Sequence, residues 1–292
     1  MNKLPNLLIL GTQKAGTTAI FDWLAQHPDV YGTPAMKEFP FLIFDEFYDR
    51  GEKWFAKNFQ ASHSEKFRLH GFVNYMYFFE RFVERYKKSS IDAKFLIVLR
   101  NPIYRAYSAY WFNKSKGIEK HQTFDEALRI NVKQFRKWGF EDDADFSYLE
   151  HGLYAEQLNF LFKHLKREHF KIIIYEELIQ AKQESMDDIC HFLGVKRFKF
   201  DYTQKNTARY LKYPFLKRSI YELKAMVPHS IRKRIPEIAK HTFRQRVRKA
   251  TSENFKYPAI LAEDKKFLKD FYLDSNKKLE VLLERKLTCW EK

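Results

Sequence analysis

The chain has 292 residues, 45% hydrophobic and 31% charged, with a formal net charge of +16. That length and apolar content exclude an intrinsically disordered chain and suffice for one large core, and no apolar run nears the roughly 18 residues of a membrane span. The basic excess calls for an anionic partner, whether nucleotide, acidic glycan, membrane surface or nucleic acid, and two cysteines as distant as Cys190 and Cys289 fit a reduced compartment better than a metal site.

The opening MNKLPNLLIL is too short an apolar stretch for a cleaved signal and runs straight into GTQKAG, so a soluble, unprocessed chain is expected. Leu7 to Leu10 reads as a buried strand, Gly11 to Gly16 as a tight loop, and Thr17 to Gln26 as a helix. Such a strand, loop and helix start aims several backbone N–H groups and the positive helix end at one spot, with the Thr17 and Thr18 hydroxyls as further donors. A phosphate or sulfate fits there; an ordinary strand-to-helix connection is the bland alternative. Phe95 to Leu99 predicts a second buried strand. Asn101-Pro102 then supplies a cap and a first-turn proline for a helix over Ile103 to Asn113. Thr123 and Glu126 make a capping box ahead of another helix, Lys171 to Tyr175 contains a third strand, and Gly194 closes a helix over Met186 to Leu193.

Beyond about residue 200 the strand signals stop, and a final helix is expected over Ile260 to Leu283. Residues 212 to 249 hold twelve Lys or Arg against Glu222 and Glu237. The whole is an α/β fold: a central parallel sheet flanked by helices, with a helical C-terminal part. One domain over 1–292 is expected, with residues 1–200 as the nucleotide-binding core and 201–292 as a basic, mainly helical extension packed on it.

The loop departs from that of nucleoside triphosphatases, where lysine directly follows the second glycine. Here Lys14 lies inside the loop, and the strand over 95–99 ends in Arg100 rather than in a magnesium-holding acid. An anionic nucleotide without a dedicated metal carboxylate follows, with no metal required.

Gly11-Thr-Gln-Lys14-Ala-Gly-Thr-Thr18, with Leu24 and His27-Pro28 after it, resembles the 5′-phosphosulfate loop of the sulfotransferase family. Leu99-Arg100-Asn101-Pro102 followed by Arg105-Ala-Tyr-Ser108 resembles that family's 3′-phosphate motif. The likeness is to the carbohydrate-acting, heparan-sulfate-like branch and its bacterial relatives, and continues in Lys37-Glu38-x-Pro40-Phe41, Thr123 to Leu128, Gly152-x-Tyr154 to Leu158, Tyr175 to Leu178 and Phe192 to Gly194. One departure stands out: Phe72 occupies the place of a common acid after Gly71.

This resemblance implies a P-loop-kinase-like core and a donor, 3′-phosphoadenosine 5′-phosphosulfate (PAPS), leaving as adenosine 3′,5′-bisphosphate (PAP). It implies that Gln13, Lys14, Ala15, Gly16, Thr17 and Thr18 hold the 5′ end, that Lys14 reaches the bridging oxygen, and that Arg100 and Ser108 hold the 3′-phosphate. Asn206 and Arg209 lie where the family closes a late basic loop over the nucleotide. Glu38 is the candidate base; neighbouring cations would lower its pKa and burial would raise it. Lys37 is placed to contact donor or acceptor, and His70 is the alternative base, with a structural role as its other reading. The implied acceptor is a hydroxyl, or less readily an amine, of a glycan or glycolipid, in a bacterial cytoplasmic setting. Residues 212–249 either form a solvated helix face or engage an acidic glycan or the inner face of the membrane. A nucleotide-dependent phosphotransferase and a non-catalytic basic binding module are the alternative classes, and no nucleic-acid motif is visible.

Overall fold

A computed structural model describes residues 3–60, 64–134, 144–203, 209–211, 252–254 and 257–291. Five parallel strands form one sheet in the order β2-β3-β1-β4-β5, with β1 (Leu7–Gly11) at its centre. On one side of β1 lie β3 (Phe67–Gly71) and then the short β2 (Val30–Gly32); on the other lie β4 (Lys94–Leu99) and β5 (Phe170–Ile174).

The continuous apolar runs have a direct structural cause. Along β1, Leu8 and Leu10 enter one core cluster while Leu7 and Ile9 enter another; along β4, Phe95, Ile97 and Leu99 separate from Leu96 and Val98 in the same way. Both faces are thus covered, which is why neither strand alternates polar with apolar residues. Helices α1 (Thr17–Leu24) and α9 (Lys182–Leu193) cover one face, and α4 (Phe79–Lys88) and α7 (Tyr154–His164) the other.

A third cluster joins α5 (Pro102–Lys116), α6 (Phe124–Gln134) and the last helix, α10 (Ala262–Leu282), through Ala106, Tyr110, Leu128, Leu268 and Tyr272. Arg105, wholly buried, donates from its guanidinium to the Tyr148 carbonyl, and the Tyr272 hydroxyl donates to the Leu149 carbonyl at 2.9 Å. The chain after residue 260 is therefore built into the core by polar as well as apolar contacts. Short helices α2 (Asp45–Tyr48), α3 (Gly51–Ala56) and α8 (Tyr175–Gln180) complete the described helices.

The local signals materialise where their chemistry demands. The Asn101 side chain accepts from the Ile103 N–H at 3.0 Å, and Thr123 and Glu126 cap each other's N–H groups at 3.2 Å. Gly117 and Gly194 close their helices at φ 71° and 68°. The first helix stops at Leu24 rather than at Gln26, ahead of Pro28, while the next one runs on to Lys116.

Two expectations need correction. β2 and β3 were not among the predicted strands, because β2 has only three residues and β3 carries Arg68 and His70. Strands also do not end near residue 200: β6 (Arg209–Leu211) pairs antiparallel with β7 (Ser252–Asn254). Three-residue strands whose partners lie some forty positions apart leave no local periodicity to read. The basic segment 212–249, expected to be mainly helical, lies outside the described residues. No helix among the described residues is long and apolar enough to cross a membrane.

Candidate active site

The strand order places a crevice beyond the C-terminal ends of β1 and β4, where the chain switches from one half of the sheet to the other; open α/β sheets bind their ligands at such points. A cleft of about 850 Å³ lies there. Its floor is the loop after β1. The Thr12 N–H and hydroxyl both donate to the Val98 carbonyl, at 2.9 and 2.5 Å, locking the loop to β4. Gly16 caps α1 at φ 84°, and a Cβ on it would lie 2.9 Å from the Tyr175 ring, so glycine is required for both conformation and space. Lys14 itself adopts φ 69°, and the first turn of α1 carries no acid to compete with an anion.

Of the expected residues, Gln13, Lys14, Gly16, Thr17, Thr18, Glu38, Arg100 and Ser108 all line this cleft. Ala15 does not: its side chain is buried in the core, and only its backbone belongs to the loop. Lys37 does not either; its ammonium pairs with Asp22 on α1 and lies 5.6 Å from the Phe21 ring. It stays within electrostatic reach of Glu38. Asn206 lies outside the described residues, and of Arg209 only its backbone place in β6 is described. His70, on β3, is buried, 2.8 Å from the Tyr75 hydroxyl and edge-on to Phe55; burial pushes its imidazole down to about 3. It is absent from the cleft wall, which leaves it the structural reading.

The electrostatics of the cleft are unusual. Burial, reinforced by Arg100, Lys116 and Arg105, lowers the Lys14 ammonium to about 8. Its Nζ sits 3.8 Å from the centre of the Phe112 ring, a contact that compensates part of the lost hydration. Glu38 is moved the other way: the residue keeps an exposed edge, yet desolvation by the protein around it raises its carboxyl to about 7, against the pull of the Val73 N–H and of Lys37, Lys116 and Lys14. Desolvation therefore outweighs the neighbouring cations in the contest that sequence alone leaves open. Beside the loop, Arg100 donates from Nη1 to the Lys14 carbonyl at 3.0 Å and lies 4.9 Å from the Tyr175 ring centre.

Phe112, Lys116, Trp23 and Tyr257 also line the cleft and were not singled out from sequence, as does Tyr175, which was quoted in a family-like stretch but given no role. For two of them a signal existed, since Ser108, Phe112 and Lys116 stand four residues apart and so share one face of α5. Nothing local marks Tyr257.

Residues 4–280 match the family described as "Sulfotransferase domain". Heparan sulfate glucosamine 3-O-sulfotransferase 6 of Mus musculus is 27% identical over 197 residues, covering 67% of this chain and 54% of that protein. Heparan sulfate glucosamine 3-O-sulfotransferase 3B1 of Homo sapiens is 27% identical over 201 residues, covering 67% and 47%. The chain thus spans about half the length of the curated relatives it matches. A crystal structure of a sulfotransferase from Alicyclobacillus acidocaldarius superposes with a TM-score of 0.69 at 24% identity, over 99% of both chains, a likeness of fold.

Proposed function

Because the chain belongs to the sulfotransferase domain family, we propose that it transfers a sulfuryl group from PAPS to a hydroxyl of a carbohydrate or glycolipid acceptor, with PAP as the second product. The observation that carries this reading is the juxtaposition in one cleft of a half-buried lysine of lowered pKa, a carboxyl of raised pKa, and the Arg100 and Ser108 side chains.

In this reading the donor lies across the ends of β1 and β4. The loop over residues 13–18 and the start of α1 hold the 5′-phosphosulfate, while Arg100 and Ser108 hold the 3′-phosphate; arginine suits that task through its two-pronged charged hydrogen bond. The acceptor oxygen attacks sulfur in line, forming the new O–S bond as the bond from sulfur to the phosphate oxygen breaks. Lys14, as ammonium, neutralises the charge that develops on the departing phosphate; a preorganised donor of this kind contributes on the order of 3 kcal/mol to the transition state. Glu38 takes the proton of the acceptor hydroxyl. A pKa of about 7 suits a base at neutral pH, since it is both substantially ionised and basic enough to accept a proton.

The choice of a sugar hydroxyl draws support from the matched relatives, whose names describe 3-O-sulfation of heparan sulfate glucosamine. The acceptor is met in the cytoplasm or at the inner face of the membrane, with residues 212–249 as the contact. The test is transfer of labelled sulfate from PAPS to extracted surface polysaccharides and glycolipids. Label in a glycan fraction, lost with Lys14→Ala, is expected. Transfer of phosphate from ATP with no sulfate transfer would overturn the proposal.

A further inference from the structure

Asp145 and Asn74 line the cleft without a part in the proposed hold on the donor or in the proton transfer. Asp145 is exposed, yet it is held at both ends. The Asn113 amide, itself 1% exposed, donates to the Asp145 carbonyl at 2.6 Å, and the Gln13 amide, 7% exposed, donates to Oδ1 at 3.3 Å. An aspartate that merely faced solvent would need neither buried partner. Its other oxygen, Oδ2, has no partner among the described residues, and no cation among them pairs with it, although Lys14 and Lys116 line the same cleft. Their ammoniums lie instead 3.8 and 4.0 Å from the centre of the Phe112 ring. Asn74, 8% exposed, follows Val73, whose N–H donates to the Glu38 carboxyl at 3.4 Å. The side-chain oxygen of Asn74 is buried with no donor among the described residues, a rare condition that points to a donor arriving from outside.

We infer that the acceptor is an uncharged, polyhydroxylated sugar, and that Asp145 selects it by accepting a hydrogen bond from a second hydroxyl beside the one that Glu38 deprotonates. The inference rests on the reading of Lys14 and Glu38 as the reacting centre. Gln13 is the neighbour of Lys14 in the loop, so its grip sets the Asp145 carboxylate close to where sulfur is transferred. Glu38, Asp145 and the Asn74 oxygen all accept hydrogen bonds, and sugar hydroxyls bring the donors that they lack. A sulfate or carboxylate on the same sugar brings acceptors only and sets like charge against Asp145. An amine would satisfy Asp145 but must enter as a cation beside Lys14 and Lys116. A site built around substrate hydroxyls also rejects an analogue without them strongly, because its own polar groups are then left unpaired.

Extracted polysaccharides and glycolipids, separated by ion exchange into neutral, acidic and amine-bearing fractions, are the probes, with labelled PAPS as donor. Per mole of glycan, the neutral fraction should take at least about tenfold more label than either of the others. Equal or greater labelling of an acidic or amine-bearing fraction would overturn the inference while leaving sulfuryl transfer in place. No label in any fraction would overturn the proposed function, and this inference with it. The variant Asp145→Asn keeps the side chain's shape and its contact with Gln13 but removes the charge. Its apparent KM for the neutral fraction should rise about tenfold, the scale of one charge-assisted hydrogen bond, and the neutral-to-acidic labelling ratio should fall by a similar factor. PAP affinity, measured by calorimetry, should stay within about twofold. An unchanged KM and ratio would overturn the role of Asp145, and so would an equal loss of PAP affinity, which marks a structural effect on the loop.

Discussion

At the scale of single residues the cleft is governed by two groups moved toward each other on the pH scale. In the proposed reaction Glu38 must be ionised to accept a proton, and its carboxyl is raised to about 7; Lys14 must be protonated to neutralise the leaving phosphate, and its ammonium is lowered to about 8. Activity should therefore rise with pH through about 7 and fall above about 8, giving kcat/KM a narrow bell. Bound donor adds negative charge, which favours the protonated form of both groups, so the limbs of kcat should lie at higher pH than those of kcat/KM. Initial rates from pH 5.5 to 9.5 check this, and Glu38→Gln should abolish most turnover together with the acid limb. A Glu38→Gln enzyme of undiminished rate would remove Glu38 from the chemistry. Much of this was open to sequence reasoning, because a lysine in a two-glycine loop and an arginine at a strand end are local facts. The sign of the Glu38 shift was not, since it depends on how much protein covers the carboxyl. Nor was the direction of Lys37, which pairs with Asp22 on α1, fifteen positions earlier in the chain.

At the scale of elements, the loop after β1 and the tail after α10 fix the mouth of the cleft from opposite ends of the chain. Gly16→Ala would force a left-handed backbone on a residue with a Cβ and press that Cβ on Tyr175, the ring that lies against Arg100. Nucleotide affinity should fall at least about tenfold, since the strain of about 1–2 kcal/mol adds to the displacement of the arginine proposed to hold the 3′-phosphate; titration with PAP is the check. At the other end, the Trp290 indole donates to one oxygen of Glu176 at 2.9 Å, and the Asn101 N–H donates to the other at 3.0 Å. The Asn101 amide in turn donates to the Trp290 carbonyl at 3.1 Å. Trp290→Phe keeps an aromatic ring beside Tyr154 but leaves one Glu176 oxygen without its donor, a loss of about 1 kcal/mol that should lower the melting temperature by roughly 2–4 °C. The central strands were legible because both of their faces are buried, and α10 was legible because its apolar spacing is long. β2, β6 and β7 were not, because a three-residue strand owes its existence to its partner, and β3 was not, because Arg68 and His70 interrupt its apolar run.

At the scale of the whole molecule, the +16 charge is concentrated in residues 212–249, where twelve cations face two acids. Replacing Arg244, Arg246 and Arg248 with Gln should weaken binding to anionic liposomes severalfold, at about 1 kcal/mol per charge near such a surface, while leaving PAP affinity intact. Undiminished liposome sedimentation would end the membrane reading of that segment. The architecture is otherwise closed by contacts of very long range: Leu279 joins the core cluster of β1 and β4, Tyr272 hydrogen-bonds the turn before α7, and Trp290 reaches Asn101 across 189 positions. This closure bears on biosynthesis. Until residue 290 has emerged from the ribosome, the segments after β4 and β5 lack the brace from Trp290, so a nascent chain should have most of its sheet in place before it gains its full affinity for nucleotide.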